Sequence, residues 1–199
     1  MPNLILTRHG QSEWNKQNLF TGFKDVDLTE QGRQEASDAG KVIGQKGLKF
    51  DVVFTSTLKR AYHTAEILLE ASRTNDHLKK DDCSWEMTKH DDLRERDYGD
   101  LTGLNKAETA EKYGDEQVHI WRRSYDVPPP GGEALKDVVE RVKPYYEAHI
   151  KPELDAGKTV LVAAHGNSLR AMLIVLGERT PENINEFELG TGQPIYLDV

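Results

Sequence analysis

The chain has 199 residues, 37% hydrophobic and 30% charged, with a formal net charge of −8. That length suits one ordinary domain with a real core, and the acidic balance speaks against a general nucleic-acid binder, which presents a basic face. An anionic small molecule stays possible, because a local cationic pocket can sit inside a negative protein.

The only cysteine, Cys83, rules out an intramolecular disulfide and a cysteine-based metal site. It fits a reducing, cytoplasmic compartment. No signal peptide is visible at the N-terminus. No apolar run approaches the roughly 20 residues of a membrane span, so no membrane partner is expected.

In chain order, Asn3–Thr7 is short, apolar and β-branched, which predicts a buried strand. A helix is predicted over Leu28–Lys46, with Thr29 as N-cap and Gly47 as its stop. Asp51–Thr55 is a second strand, and Ser56 is expected to cap the helix TLKRAYHTAEILLEA. From Ser72 to Asp92 the chain is polar and weakly periodic, with a short strand expected near Cys83–Met87. A polar helix follows near Lys106–Tyr113, then a helical piece with Ile120-Trp121-Arg122-Arg123. Pro128-Pro129-Pro130-Gly131-Gly132 is a hard break. Glu133–His149 resumes as a helix, and Pro144 inside it predicts a kink. Lys158–Ala164 is the most strand-like run of the chain. A helix over Ser168–Leu176 and a strand over Gly192–Val199 complete it. This order predicts an α/β fold of three layers, a mainly parallel sheet flanked by helices. Residues 1–199 are read as one domain, with an excursion at about 72–132 covering the site.

Two runs echo one another: LILTRHG and VLVAAHG are both apolar strands that end in His-Gly. Open parallel sheets bind ligands beyond the carboxyl ends of their strands, so His9 and His165 should share a crevice. DVVFTSTLKR brings Arg60 to the same level after a third strand. Arg8 and Arg60 offer planar, permanently charged forks that suit phosphate. Asn167 and Ser168 open a helix whose free N–H groups favour an anion. Fixed positive charge disfavours imidazolium, leaving a neutral histidine able to attack phosphorus. A second imidazole, protonated when the anion is bound, would stabilise charge on the phosphoryl oxygens.

Each element alone also suits a plain structural part: a satisfied strand-end histidine, a surface arginine, a capped helix turn. Transfer to or from an alcohol needs a general acid/base, and LRERDYGDL offers Glu95, Asp97 and Asp100 without choosing among them. Arg122-Arg123 beside Trp121 is a second anion clamp or the polar face of a helix. No metal-ligand spacing is present, so metal-free chemistry is expected.

The segments TRHGQSEWN, LFTGFKDVDLTEQG, FTSTLKRAYHTAE, RERDYGDLTGLNKAETAEKYGDEQV, WRRSYDVPPP and AAHGNSLRA resemble the cofactor-dependent phosphoglycerate mutases of the histidine phosphatase superfamily. RHG indicates only the superfamily; GLNKAETAEKYG and WRRSYD point to the mutases. The resemblance implies that His9 becomes phosphorylated, with Arg8, Arg60 and His165 completing the phosphate pocket and Asn15 beside them. It implies Glu95 as proton donor and acceptor, and Thr21, Gly22, Tyr98, Lys106, Arg122, Arg123, Gly166 and Asn167 as substrate-binding positions. It further implies priming by 2,3-bisphosphoglycerate, interconversion of 2- and 3-phosphoglycerate, and a homo-oligomer, dimer or tetramer.

The sequence departs from the family pattern in four places. Asp97 stands where a histidine or an aromatic residue is usual; its charge would raise the Glu95 pKa or face solvent. Residues 75–92 are unlike the family in detail. The insertion of longer members is absent between Pro130 and Gly132, which resembles the short form. The chain stops at Asp198-Val199, where relatives continue into a tail that helps cover the site. A missing lid would favour water and hence a phosphatase on the same site. A non-catalytic metabolite- or partner-binding protein is the third reading, and the intact His9, Arg8, Arg60, Glu95 and His165 set speaks against it.

Overall fold

The apolar runs expected to be strands lie side by side in the computed structural model, which describes all 199 residues. The strands are β1 (Leu4–Arg8), β2 (Val52–Thr55), β3 (Thr88–Lys89), β4 (Val160–Ala164) and β5 (Pro194–Leu197). They form one sheet in the order β3-β2-β4-β1-β5. All neighbours are parallel except β5, which runs antiparallel to β1 along the edge. The helices are α1 (Glu13–Lys16), α2 (Glu30–Gln45), α3 (Lys59–Ser72), α4 (Lys106–Tyr113), α5 (Asp115–Arg123), α6 (Leu135–Tyr145), α7 (Lys151–Asp155) and α8 (Gly166–Val175).

The two-residue period of the strands sorts the core into two layers. Leu4, Leu6, Val160, Val162 and Ala164 pack with α6 and α8 on one face. Ile5, Val53, Leu161 and Ala163 pack with α2 and α3 on the other. Each fully buried leucine, isoleucine or valine contributes about 1.5–3 kcal/mol, so the central strands anchor both layers.

Several local expectations are corrected. The short strand lies at Thr88–Lys89, where β2 offers Phe54 and Thr55 as partners; Cys83 instead occupies a left-handed turn at φ 67. Ser56 does not cap α3. That helix starts at Lys59 behind Leu58, which makes no side-chain cap, and the serine hydroxyl is engaged elsewhere. The last helix begins at Gly166 rather than Ser168, with His165 at its N-cap. The Ser168 hydroxyl accepts the His165 N–H at 3.1 Å. The helix carrying Pro144 runs beyond His149: a π-helical turn at Tyr146–Ile150 follows the proline and leads into α7. Proline has no N–H to give, and a widened turn is one way to re-register the ladder.

One close crossing positions the segment after β1. A Cβ on Gly10 would collide with the Gly32 carbonyl, and one on Gly32 with the Gln11 carbonyl. The first turn of α2 therefore lies directly on the backbone that follows His9. Replacing Gly32 with alanine is expected to lower the unfolding free energy by about 2 kcal/mol or more, as overpacking against unyielding backbone does. Urea denaturation midpoints of the two proteins would measure this, and an unchanged midpoint would show that the crossing gives way freely.

Candidate active site

β1 and β4 pair in register, with Arg8 opposite Ala164, and the His9 N–H continues the ladder to the Ala164 carbonyl at 3.0 Å. The two histidines thus leave adjacent strand ends at one level, their ring centroids 5.1 Å apart. His9 Nδ1 lies 2.6 Å from the Gly10 carbonyl. A carbonyl only accepts, so Nδ1 carries the proton and Nε2 keeps its lone pair. The Gly10 peptide is held in turn by Thr64, whose hydroxyl accepts its N–H at 3.0 Å. Burial, then Arg60 and Arg8, hold the His9 pKa well below the ordinary histidine value.

His165 is fully buried, and its Nε2 meets the Ser56 hydroxyl at 2.7 Å. That hydroxyl already accepts the Leu58 N–H at 3.2 Å. A hydroxyl that gives its own proton to Nε2 leaves the ring proton on Nδ1. His165 Nδ1 has no partner in the protein. Burial, then Arg60, His9, Arg8 and Arg141, keep this imidazole neutral as well.

Glu95 is buried beside them. Its Oε1 accepts from the Arg96 N–H at 2.7 Å, the Asn167 N–H at 3.2 Å and Asn167 Nδ2 at 2.9 Å, while Oε2 makes no protein hydrogen bond. Burial alone would raise this carboxyl, but the Arg96 amide, Arg60, Asn167 and Arg8 outweigh it and hold it below the usual glutamate range. Asp97 turns to another partner. The Asp97 carboxylate accepts the Gly99 N–H at 2.9 Å and shapes the turn instead. The backbone carrying Glu95 is gripped by Arg141, which donates to the carbonyls of Asp92, Arg94 and Glu95 and pairs with both oxygens of Glu133.

These groups meet in a cavity of about 170 Å³. Thirteen of the fourteen residues singled out from the sequence line it: Arg8, His9, Asn15, Thr21, Gly22, Arg60, Glu95, Tyr98, Lys106, Arg122, Arg123, Gly166 and Asn167. His165 alone lies outside the lining, its ring set against that of His9. Leu19 and Arg170 line the cavity without having been expected. Arg170 had a readable signal, since it stands one helical turn after Gly166 and shares its face. Ser56 had none, because its role depends on a strand that lies 109 residues away.

Six cationic side chains face one carboxylate in this cavity, and none of the six takes part in an ion pair. Arg60, almost fully buried, spends its donors on the carbonyls of Lys24 and Gly22, both at 2.8 Å. Burial lowers its pKa to about 10, so it stays charged at neutral pH. Such a set suits a small polyanion with at least two charged groups.

Residues 4–198 match the Histidine phosphatase superfamily (branch 1). The chain belongs to that superfamily. Within it, the chain is 52% identical to the 2,3-bisphosphoglycerate-dependent phosphoglycerate mutase of Zymomonas mobilis, covering all of this chain and 93% of that one. It is 57% identical to the enzyme of the same name from Methylocella silvestris, over 96% of this chain and 89% of the relative. Among solved structures it resembles a mycobacterial glucosyl-3-phosphoglycerate phosphatase complexed with VO3: 28% identity, a TM-score of 0.80, and coverage of 98% of this chain and 91% of the other. No helix of this superfamily member is long and apolar enough to cross a membrane.

The buried neutral histidines make stability depend on pH. Unfolded imidazoles titrate near pH 6.5, whereas folded His9 and His165 resist protonation until well below that. The unfolded chain therefore binds more protons as the pH drops below 6.5. Stability should fall in that direction by about 1.4 kcal/mol per pH unit for each histidine. Urea unfolding between pH 7.5 and 5.5 should show this slope, and the double variant His9→Gln, His165→Gln should flatten it.

Proposed function

We propose that this chain is a 2,3-bisphosphoglycerate-dependent phosphoglycerate mutase. It interconverts 2- and 3-phosphoglycerate through a phosphohistidine on His9, primed by 2,3-bisphosphoglycerate. This reading places it in glycolysis and gluconeogenesis, in the cytoplasm. The observation that carries it is the extent of the cation set. Arg8 and Arg60 surround the histidine pair, while α4 and α5 add Lys106, Arg122 and Arg123 to the same cavity. Hydrolysis of a simple phosphomonoester needs only the first group; a substrate with both a phosphate and a carboxylate uses both.

In priming, the His9 Nε2 lone pair attacks a phosphorus of the bisphosphoglycerate. The N–P bond forms, the P–O bond to the glycerate breaks, and that oxygen takes a proton from the Glu95 carboxyl. In the productive half, the hydroxyl of a bound phosphoglycerate attacks the phosphohistidine and gives its proton to the Glu95 carboxylate. The N–P bond breaks and bisphosphoglycerate is regenerated. Attack through its other phosphate then yields the isomer, so the proton borrowed in one half is returned in the other. His165, with its proton on Nδ1, donates to the phosphoryl oxygens in flight, as Arg8 and Arg60 do. Their fixed charges, with those of the other cavity cations, stabilise this transfer without a metal ion.

A second reading, a phosphatase on the same site, is favoured by the likeness to the mycobacterial phosphatase. The two differ in the acceptor, alcohol or water, and measuring mutase turnover against phosphate release from one preparation separates them. Labelled bisphosphoglycerate should give an acid-labile, base-stable phosphoenzyme that His9→Ala loses; retention of the label by that variant would sink the assignment. Glu95→Gln should lower kcat by about 10²–10⁴-fold, the contribution of a positioned acid/base, with a much smaller change in KM. Comparable losses in both would make Glu95 a contact only.

A further inference from the structure

The geometry points to Arg170 as the residue that grips the second anionic group of the ligand, the one that is not transferred. This deepens the mutase reading and rests on it. Arg170 projects from α8 into the cavity and is only 9% exposed. A guanidinium so removed from water is costly unless an anion or good acceptors meet it. Within the protein it has neither. It forms no ion pair, its Nε is buried without a partner, and its only hydrogen bond is a long one, Nη2 to the Phe187 carbonyl at 3.4 Å.

The contrast with its neighbours is informative. Arg60 gives two hydrogen bonds of 2.8 Å to carbonyls, and Arg8 gives one of 2.8 Å to Leu189. Arg96 is also buried with an orphaned Nε, but it does not line the cavity and holds the Arg122 carbonyl at 2.9 Å. Lys106, Arg122 and Arg123 also lack internal acceptors but are more open to water; Arg170 alone is buried in the cavity wall with almost no internal acceptor. Gly166 clears its path, since a Cβ there would lie 3.2 Å from Arg170 Nη1.

Its charged neighbours are Arg123, Glu95 and Arg8, which puts it between the histidine end and the α5 cations. The transferring phosphate already has Arg8 and Arg60. The acceptor left for Arg170 is the other terminus of the ligand, a carboxylate or a second phosphate, which a planar fork can take bidentately.

The test is calorimetric binding of 3-phosphoglycerate and of glycerol 3-phosphate, which lacks the carboxylate, to wild type, R170M and R170K. R170M should lose about tenfold to a hundredfold in 3-phosphoglycerate affinity, the range of a charge-assisted hydrogen bond. Its affinity for glycerol 3-phosphate should hardly move. R170K should recover part of the loss, because it keeps the charge without the fork. Thermal unfolding run alongside shows whether each variant is folded, and R170K decides alone if R170M is not. Equal weakening of both ligands, or no weakening of 3-phosphoglycerate, overturns the proposal. Failure of the mutase reading looks different: wild type would bind both compounds and isomerise neither phosphoglycerate.

Discussion

The parallel, in-register pairing of β1 with β4 is the constraint on which the site depends. It makes Arg8 and Ala164 neighbours and lets the His9 N–H bond the Ala164 carbonyl, so two histidines 156 residues apart in sequence emerge side by side. A slip of one residue would exchange the faces of the strand. Leu4 and Leu6 would then leave the layer of α6 and α8, and the histidine pair would be lost with them. The apolar packing that stabilises the sheet and the geometry that serves the chemistry are thus set by one register. Thr64, Gly10 and Gly32 add the finer adjustment. They fix the carbonyl that chooses the His9 tautomer, and with it the nitrogen left free.

Electrostatics is arranged around a second constraint, namely which acceptors the arginines receive. Arg60 and Arg8 are held by backbone carbonyls rather than carboxylates. A carbonyl satisfies an N–H and restrains the side chain but leaves the unit charge uncancelled. The cavity therefore keeps its attraction for an anion in a chain whose net charge is negative. Arg141 shows the opposite solution. Its charge is matched by Glu133, and it serves as a fastener for the backbone of Asp92, Arg94 and Glu95. Arg141 and the cavity arginines thus differ in whether a carboxylate accompanies them, and with that in whether their charge is left for a ligand.

What could be read from the sequence follows the same division. Apolar runs located β1, β2 and β4, because burial on both faces leaves a continuous hydrophobic signature. The strand-end rule then places His9, Arg60 and His165 together from sequence alone. Spacing could not choose among Glu95, Asp97 and Asp100, since Glu95 is the one of the three that lines the cavity, held there by Arg96 and Asn167 donating to one oxygen, a tertiary fact. β3 was misplaced because two exposed residues carry almost no periodicity, and its position is set by the free edge of β2. Ser56 looked like a helix cap because serine suits that role locally. Its hydroxyl instead bridges the Leu58 N–H, ahead of the helix, and a buried imidazole from beyond a distant strand. Pro144 reads as a kink in a helix that ends at His149, whereas a π turn after the proline carries the helix on into α7.

The same cations that attract the ligand also set the state of Glu95, which ties its proton affinity to occupancy. With the cavity free of anions, Arg60 and Arg8 join the Arg96 amide and Asn167 in favouring the carboxylate over the acid, against the pull of burial. That is the form a base needs. An incoming polyanion cancels much of this field and displaces water, and the desolvation already present then pushes the carboxyl upward. In the proposed mechanism the carboxylate thereby becomes a better base when the accepting hydroxyl is in place, and it holds the proton while the bisphosphorylated ligand remains. Three donors anchor Oε1, which leaves Oε2 without a protein partner and, in the proposed mechanism, as the atom that exchanges the proton.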